Sequence, residues 1–551
     1  MEQADKQIRI FLNGDIVTMD PDRPTAAALA VEGDRILALG TPDELESLRA
    51  KAAEIIDLGG RTLLPGLIEP HTHPITSALL YEWADVSAFT HNSRAEVLAS
   101  LSRAISQAEK GQWVTAFGYD PILIRDLAAL TADELDILAP DNPVFVMIQS
   151  MHTAFVNRQA LRRANIDEAA PKPVNGHFVK DRNGRLTGMV VEQGGMLPFL
   201  ACMLLEGAWD GEKLMSRQLH RFARAGYTTL GAMGEFPLFP NSASTLQRLA
   251  ESGPTPLRVV FLDKAADLES GSLEKTGPDS ERFHRRGVKF WYDGSPYSGN
   301  MFLDQPFVNS DLMQVGLGLP RDSPGYAMLP RETLQALVEK YHDQGRQVVI
   351  HGQGDRAIRE IVEVYARALA RTPRSDHRHR IEHGALFPLD QLAPAARLGV
   401  CPSWHINHIY YYGEALRDDI IGPERAGRLM PFKDALRQGL RCSLHNDSPM
   451  YPPEPFKLVR TAVTRGTRRG AVIGADQAVS VAEALRAVTI DAAWQLFLDK
   501  EVGSLTPGKK ADLAVLSANP LKIDPLGLDG VRVLATYSGG RKVFGSEDAP
   551  A

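Results

Sequence analysis

Between residues 63 and 447, short apolar strand-like runs alternate with stretches of helical periodicity. This alternation constrains the fold most, because parallel strands joined by helices form a sheet covered on both faces. Eight runs qualify: Leu63–His73, Thr228–Met233, Leu257–Leu262, Val288–Asp293, Val348–His351, His379–His383, Val400–His405 and Arg441–Asp447. Between them lie helical patterns such as Ile358–Ala370 and Glu332–Gln344. In the latter, Leu334, Leu337, Val338 and Tyr341 share one face. Eight strand–helix units predict a closed (β/α)8 TIM barrel in an α/β chain.

At 551 residues the chain exceeds one such barrel. The stretch from about 78 to 220 is too long for one crossover and predicts a subdomain inserted after strand one. A strand pair is expected in it near Gly176–Val191, around the Arg182-Asn183-Gly184 turn. Both ends lack long helical patterns. Ile8–Leu12 runs into Asn13-Gly14, a hairpin signal, and Ala27–Val31 and Ile36–Gly40 flank Glu32-Gly33-Asp34-Arg35. Near the other end, Asp512–Leu516 and Val531–Tyr537 read as strands, with Gly539-Gly540 a turn before Lys542-Val543-Phe544. The expected organisation is therefore a small β-sandwich from residues 1–62 and 501–551, and a barrel over 63–500 with the insertion.

A net charge of -7 gives no electrostatic footprint for nucleic acid. Met1-Glu2-Gln3-Ala4-Asp5-Lys6 lacks the basic-then-apolar pattern of a secretory leader, and no apolar run reaches membrane-spanning length. Cys202, Cys401 and Cys442 form no pair motif and read as reduced core thiols. A cytoplasmic protein is expected, with a small-molecule substrate, no nucleic-acid or membrane partner, and a homodimer as a candidate assembly.

In a barrel of this kind functional side chains sit at the C-terminal ends of strands. Strand one ends in His71-Thr72-His73, and residues two apart on a strand point the same way, so both imidazoles can face one ion. On strand four, Val288, Phe290 and Tyr292 share one face and Lys289 and Trp291 the other. If the first face packs on helices, Lys289 points into the barrel. Reaction with CO2 would then convert a costly buried ammonium into a carbamate able to bridge two cations; pairing with Asp293 or another carboxylate is the alternative. Strands five and six deliver His351 and His383, and strand eight delivers Asp447. Asp447 is placed to move a proton from an attacking water to a leaving nitrogen; a turn role in Asp447-Ser448-Pro449 is the alternative.

This set, His71, His73, Lys289, His351, His383 and Asp447, resembles the amidohydrolase superfamily. The lead-in Pro65-Gly66-Leu67-Ile68 and the late Val502-Gly503-Ser504-Leu505-Thr506-Pro507-Gly508-Lys509-Lys510-Ala511-Asp512-Leu513 match its members with a flanking β domain. Lys289-x-x-x-Asp293-Gly294-Ser295, His351-x-x-Gly354-Asp355-Arg356-Ala357 and Arg380-Ile381-Glu382-His383 resemble its YtcJ-like branch, which includes N-substituted formamide deformylases. The resemblance implies that these six residues form a metal site for one or two zinc or other divalent ions, with Lys289 N6-carboxylated. It also implies hydrolysis of a C–N bond other than a peptide bond, in an N-substituted formamide or similar amide, by metal-activated hydroxide. Alternatives are a cyclic amide hydrolase, a deaminase or an esterase on the same barrel, or a non-catalytic binding protein. Two departures stand out: Glu69 where many relatives carry Asp, and His445-Asn446-Asp447 in place of Gly-Ser-Asp. Trp291, Trp404, His405 and His445 are candidates for the substrate pocket. Tyr410-Tyr411-Tyr412 is a candidate aromatic wall, or else an exposed loop or dimer contact.

Overall fold

The computed structural model describes residues 7–173, 176–207, 209–236, 238–239 and 241–550. Residues 1–6, which carry the expectation about a secretory leader, lie outside the described residues. The chain divides into two compact units, Met1–Ile75 with Met215–Pro237 and Asn241–Ala551, and Thr76–Leu214 with Leu238–Pro240.

The first unit contains an eight-stranded parallel sheet in sequential order: Leu67–Thr72, Tyr227–Met233, Arg258–Lys264, Phe283–Trp291, Gln347–Gly352, Arg380–His383, Cys401–Trp404 and Ser443–Leu444. These are called strands one to eight below. They are the eight expected runs, forming a nearly closed α/β barrel. The backbone N–H of Asn446 donates to the Glu69 carboxylate and that of His73 to the Ser448 carbonyl, which brings the end of strand eight against strand one. Helices cover the outside. Arg331–Asp343 buries Leu334, Val338 and Tyr341, and Asp355–Arg371 buries Ala357, Ile358, Ile361, Val362, Val364, Tyr365 and Ala368, one apolar stripe each.

The expected first run, Leu63–His73, is divided. Thr62–Pro65 pairs antiparallel with Leu513–Leu516 in a separate six-stranded sheet, and only Leu67–Thr72 enters the barrel. Gly66 makes the join: a Cβ there would lie 2.3 Å from Thr228 Oγ1, so only glycine lets the chain pass strand two this closely. Asn13-Gly14 is likewise not a hairpin. Ile8–Leu12 lies in a four-stranded sheet and Asp15–Val17 in the six-stranded one, so the turn carries the chain between sheets, with Asn13 at φ 58°. Both sheets line one core, in which Phe11, Leu29, Ile56 and Leu63 meet Leu505, Leu513, Val515, Leu534 and Tyr537. A strand contributes alternate side chains to each face, so two short amphipathic sheets from opposite ends of the chain bury their apolar faces together.

In the second unit six strands lie in the order His177–Lys180, Leu186–Val191, Thr153–Val156, Val144–Ile148, Val114–Tyr119, Ala84–Asp85. The first two form the antiparallel pair expected around Arg182-Asn183-Gly184. Cys401 and Cys442 are buried as expected, whereas Cys202, on helix Glu192–Glu206, is partly exposed and not a core thiol. No helix among the described residues is long and apolar enough to cross a membrane.

Candidate functional site

Strand alternation places the first histidine pair. Glu69, His71 and His73 fall two apart, and Glu69 and His71 are buried. On strand four Phe290 stacks edge-on against Tyr341, and the Tyr292 hydroxyl donates to Glu360, both on outer helices. Lys289 therefore points inward, fully buried, and among the described residues no protein group is hydrogen-bonded to Nζ. Asp293 is not its partner: its carboxylate accepts from the backbone N–H groups of Phe302, Gln353 and Gly354 at 2.9–3.0 Å, tying the loops after strands four and five together.

Strands six and eight break the alternation where the chemistry lies. His383 has φ 70° and Asp447 φ 56°, left-handed conformations that side chains other than glycine rarely adopt. On strand six, Arg380 and Glu382 share the inward face, and the reversal at His383 turns its ring inward as well. Asp447 Oδ1 then lies 3.4 Å from His71 Nε2 and 3.2 Å from His73 Nε2. Its Oδ2 lies 3.8 Å from His383 Nδ1 and 3.9 Å from His405 Nδ1. The His383 ring centroid is 4.8 Å from that of His71 and 4.4 Å from that of His351, and His351 Nε2 is 3.8 Å from Asp293 Oδ1. All six residues singled out in the sequence thus lie around the mouth formed by the strand ends.

The donor set suits a divalent cation. Two ligands on a tetrahedral zinc with bonds of about 2.0–2.1 Å stand about 3.3–3.4 Å apart, close to the His71–Asp447 and His73–Asp447 separations. One ligand atom each from His71, His73 and Asp447 lies within 4.8 Å of the others, as do those of His383, His405, His445 and Asp447. Burial, with Lys289 and other cationic or imidazole neighbours, holds His71 and His383 well below the ordinary histidine range, so both are neutral donors. Burial acts on Lys289 the same way, drawing its amine down to about 8 against the pull of Glu382 and Asp447. For Asp447 burial pushes the other way, yet hydrogen bonding from His73 and the nearby His405 and Lys289 hold the carboxyl below its usual range.

Two functional groups escaped the reading by strand ends. The Glu382 carboxylate contacts His71 Nδ1 and is gripped by Arg380 through two 2.8 Å hydrogen bonds. Arg380 also donates to the Pro70 carbonyl at 3.2 Å, so strand six braces strand one across the barrel. A carboxylate on the outer nitrogen of a ligating imidazole orients the ring and raises its basicity. The signal was present in Arg380-Ile381-Glu382, two charges two residues apart in a buried strand.

The four pocket candidates separate. Trp291 is partly exposed beside Lys289, with Nζ 5.3 Å from its ring centroid. His405 faces Asp447 through Nδ1, while its Nε2 donates to the Asn446 carbonyl at 3.0 Å. Trp404 does not line the pocket. It is fully buried, packing against Phe387 and Phe432, because alternation turns it outward between Ser403 and His405. His445 is also fully buried, held between Ser403 and His383 beneath the pocket. The Tyr410–Tyr412 run is neither loop nor open wall. It lies on helix Asn407–Ala415, with Tyr411 stacked on Tyr451 and Tyr412 on Tyr297, packing that leaves Tyr411 and Tyr412 buried.

A parallel α/β barrel with imidazoles, a lysine and an aspartate at its strand ends is the architecture of metal-dependent hydrolases. The family model described as the amidohydrolase family matches residues 54–544, and the chain belongs to that family. It is 28% identical over 540 residues to the N-substituted formamide deformylase of Arthrobacter pascens, covering 96% of this chain and 97% of that one. It is 25% identical over 545 residues to the putative amidohydrolase YtcJ of Bacillus subtilis, covering 97% and 99%. These relatives place it in the YtcJ-like branch. A crystal structure of an uncharacterised metal-dependent hydrolase from Pyrococcus horikoshii superposes with a TM-score of 0.73 at 24% identity, over 94% of this chain and 99% of that one, and shares the fold.

Proposed function

We propose that this hydrolase cleaves the C–N bond of a small N-substituted amide, an N-substituted formamide being the first candidate. The supporting observation is the convergence of His71, His73 and Asp447, from two strand ends, at separations of 3.2–3.4 Å, with the His383 ring centroid 4.8 Å from that of His71. His71, His73, His351, His383 and Asp447 would hold a divalent cation, and Lys289 would join them as a carbamate. The neutral fraction of its amine attacks CO2, forming an N–C bond and releasing a proton, which leaves a carbamate whose two oxygens share one negative charge. When bound, a divalent ion such as zinc supplies Lewis acidity that brings the pKa of water to about 7 and stabilises charge on the carbonyl oxygen.

The chain's own groups do the rest. Asp447 accepts the proton of the attacking water and passes it to the departing nitrogen, so an amine leaves rather than an amide anion. Its depressed pKa keeps it ionised and ready to accept at neutral pH. Glu382, locked by Arg380, holds the His71 ring in orientation. Trp291, beside Lys289, and His405, beside Asp447, are the groups that would contact the substituent and the carbonyl. The relative's printed substrate class, N-substituted formamides, supports the formyl group as acyl part. The test is a substrate panel of N-substituted formamides, larger N-substituted amides, cyclic amides, aminated rings and esters, offered to the zinc-loaded protein. Release of formate and amine from the first group supports the reading. Turnover confined to rings or esters overturns it.

A further inference from the structure

His445 tops a column of buried side chains whose hydrogen bonds run one way. At the base, Gln495 Nε2 donates to the carbonyls of Pro402 and Arg441 at 2.9 and 3.0 Å. Its Oε1 is therefore an acceptor, and Ser443 Oγ donates to it at 2.7 Å. A serine has one hydroxyl proton. Ser443 has used its own, so the Ser403 hydroxyl, 2.8 Å away, donates to Ser443. Ser403 in turn can only accept from His445 Nδ1, also 2.8 Å away, so that nitrogen carries hydrogen. His445 Nε2 lies 3.1 Å from His383 Nδ1. The hydrogen-bond partners of His445 are a serine and another imidazole, and an imidazolium sealed between them without a hydrogen-bonded carboxylate would be costly. Its Nε2 is thus a lone pair, and His383 Nδ1–H donates to it. His445, Ser403, Ser443 and Gln495 are all fully buried, so solvent cannot reverse the order.

We infer that His445 is a positioning residue: the column Gln495–Ser443–Ser403–His445 fixes His383 as the tautomer protonated at Nδ1, so that it offers Nε2 to the metal. The inference rests on the metal-centre reading above. It assigns to an imidazole the task that carboxylates or carbonyls usually perform for ligating histidines.

The test uses the full chain and zinc affinity by chelator competition, together with the visible spectrum of the cobalt-loaded protein. His445→Leu removes both acceptor and donor, and zinc binding should weaken about 10–100-fold with a changed cobalt spectrum. His445→Gln keeps an acceptor and a donor in the same order and should stay near wild type in both readouts. Ser403→Ala leaves His445 in place but frees its tautomer; it should weaken zinc binding in the same direction, and it carries the test if the leucine variant does not fold. Wild-type affinity in Ser403→Ala and His445→Leu, or a glutamine variant as weak as the leucine one, overturns the inference alone. A wild-type protein that binds no zinc overturns the metal-centre reading and this inference with it.

Discussion

Lys289 offers the sharpest test of how the site is built. Its ammonium is fully buried with no hydrogen bond from the described residues, and burial lowers its pKa from 10.5 to about 8. One pH unit of displacement is worth about 1.4 kcal/mol, so holding this side chain protonated in the metal-free fold costs about 3 kcal/mol. The sign follows from proton counting. Below pH 8 both folded and unfolded chains carry the proton, and the cost is complete. Between about 8 and 10.5 the unfolded chain holds more protons, so stability rises with pH, and above 10.5 the cost is gone. Methionine has similar volume and no charge. In Lys289→Met, Glu382 keeps Arg380 and Asp447 keeps His73. The metal-free, CO2-free variant should melt a few degrees above wild type at pH 7, and the gap should close toward pH 10. Scanning calorimetry at the two pH values reads this directly. The same variant should lose most of its turnover, since the carbamate cannot form. A methionine variant that melts below wild type at pH 7, with the deficit shrinking at pH 10, would refute the reasoning, because Lys289 would then be a net stabilising charge.

Other expectations follow from the same geometry. Asp447→Asn should reduce kcat by at least about 100-fold through loss of the proton carrier while most of the zinc remains; near-normal turnover removes Asp447 from that role. Because His71 and His383 are held below the ordinary histidine value of 6.5, protons should displace zinc only below pH 6.5, and dialysis at stepped pH with metal analysis would show a contrary midpoint. Asp293→Ala strands the N–H groups of Phe302, Gln353 and Gly354, the last two buried, each worth about 1–3 kcal/mol, so several kcal/mol of stability should be lost; an unchanged melting temperature would mean that the loops after strands four and five are held by something else.

Much of this protein is set by sequence acting locally. The period of two in Glu69-x-His71-x-His73 puts those groups on one side of a strand wherever the strand lies. The contrast between Val288, Phe290 and Tyr292 and the lone Lys289 sends the lysine inward for the same reason. The repetition of strand and helix leaves few arrangements other than a barrel, whose strand ends meet at one rim. The outward direction of Trp404 was equally available, since it neighbours His405 and alternation forbids both from facing the site.

Tertiary structure decided the remainder. The inward turn of His383 and Asp447 depends on left-handed backbone, which histidine and aspartate tolerate better than most residues but which surrounding contacts must hold. The grip of Glu382 on His71 joins residues 311 positions apart. The division of Leu63–His73 between two sheets required the far end of the chain, Leu513–Leu516, to claim Thr62–Pro65. A strand's own side chains fix which face each residue takes. Partners across a barrel are fixed only when closure brings distant segments within hydrogen-bonding range, because those bonds are short-ranged and carry no trace in local sequence.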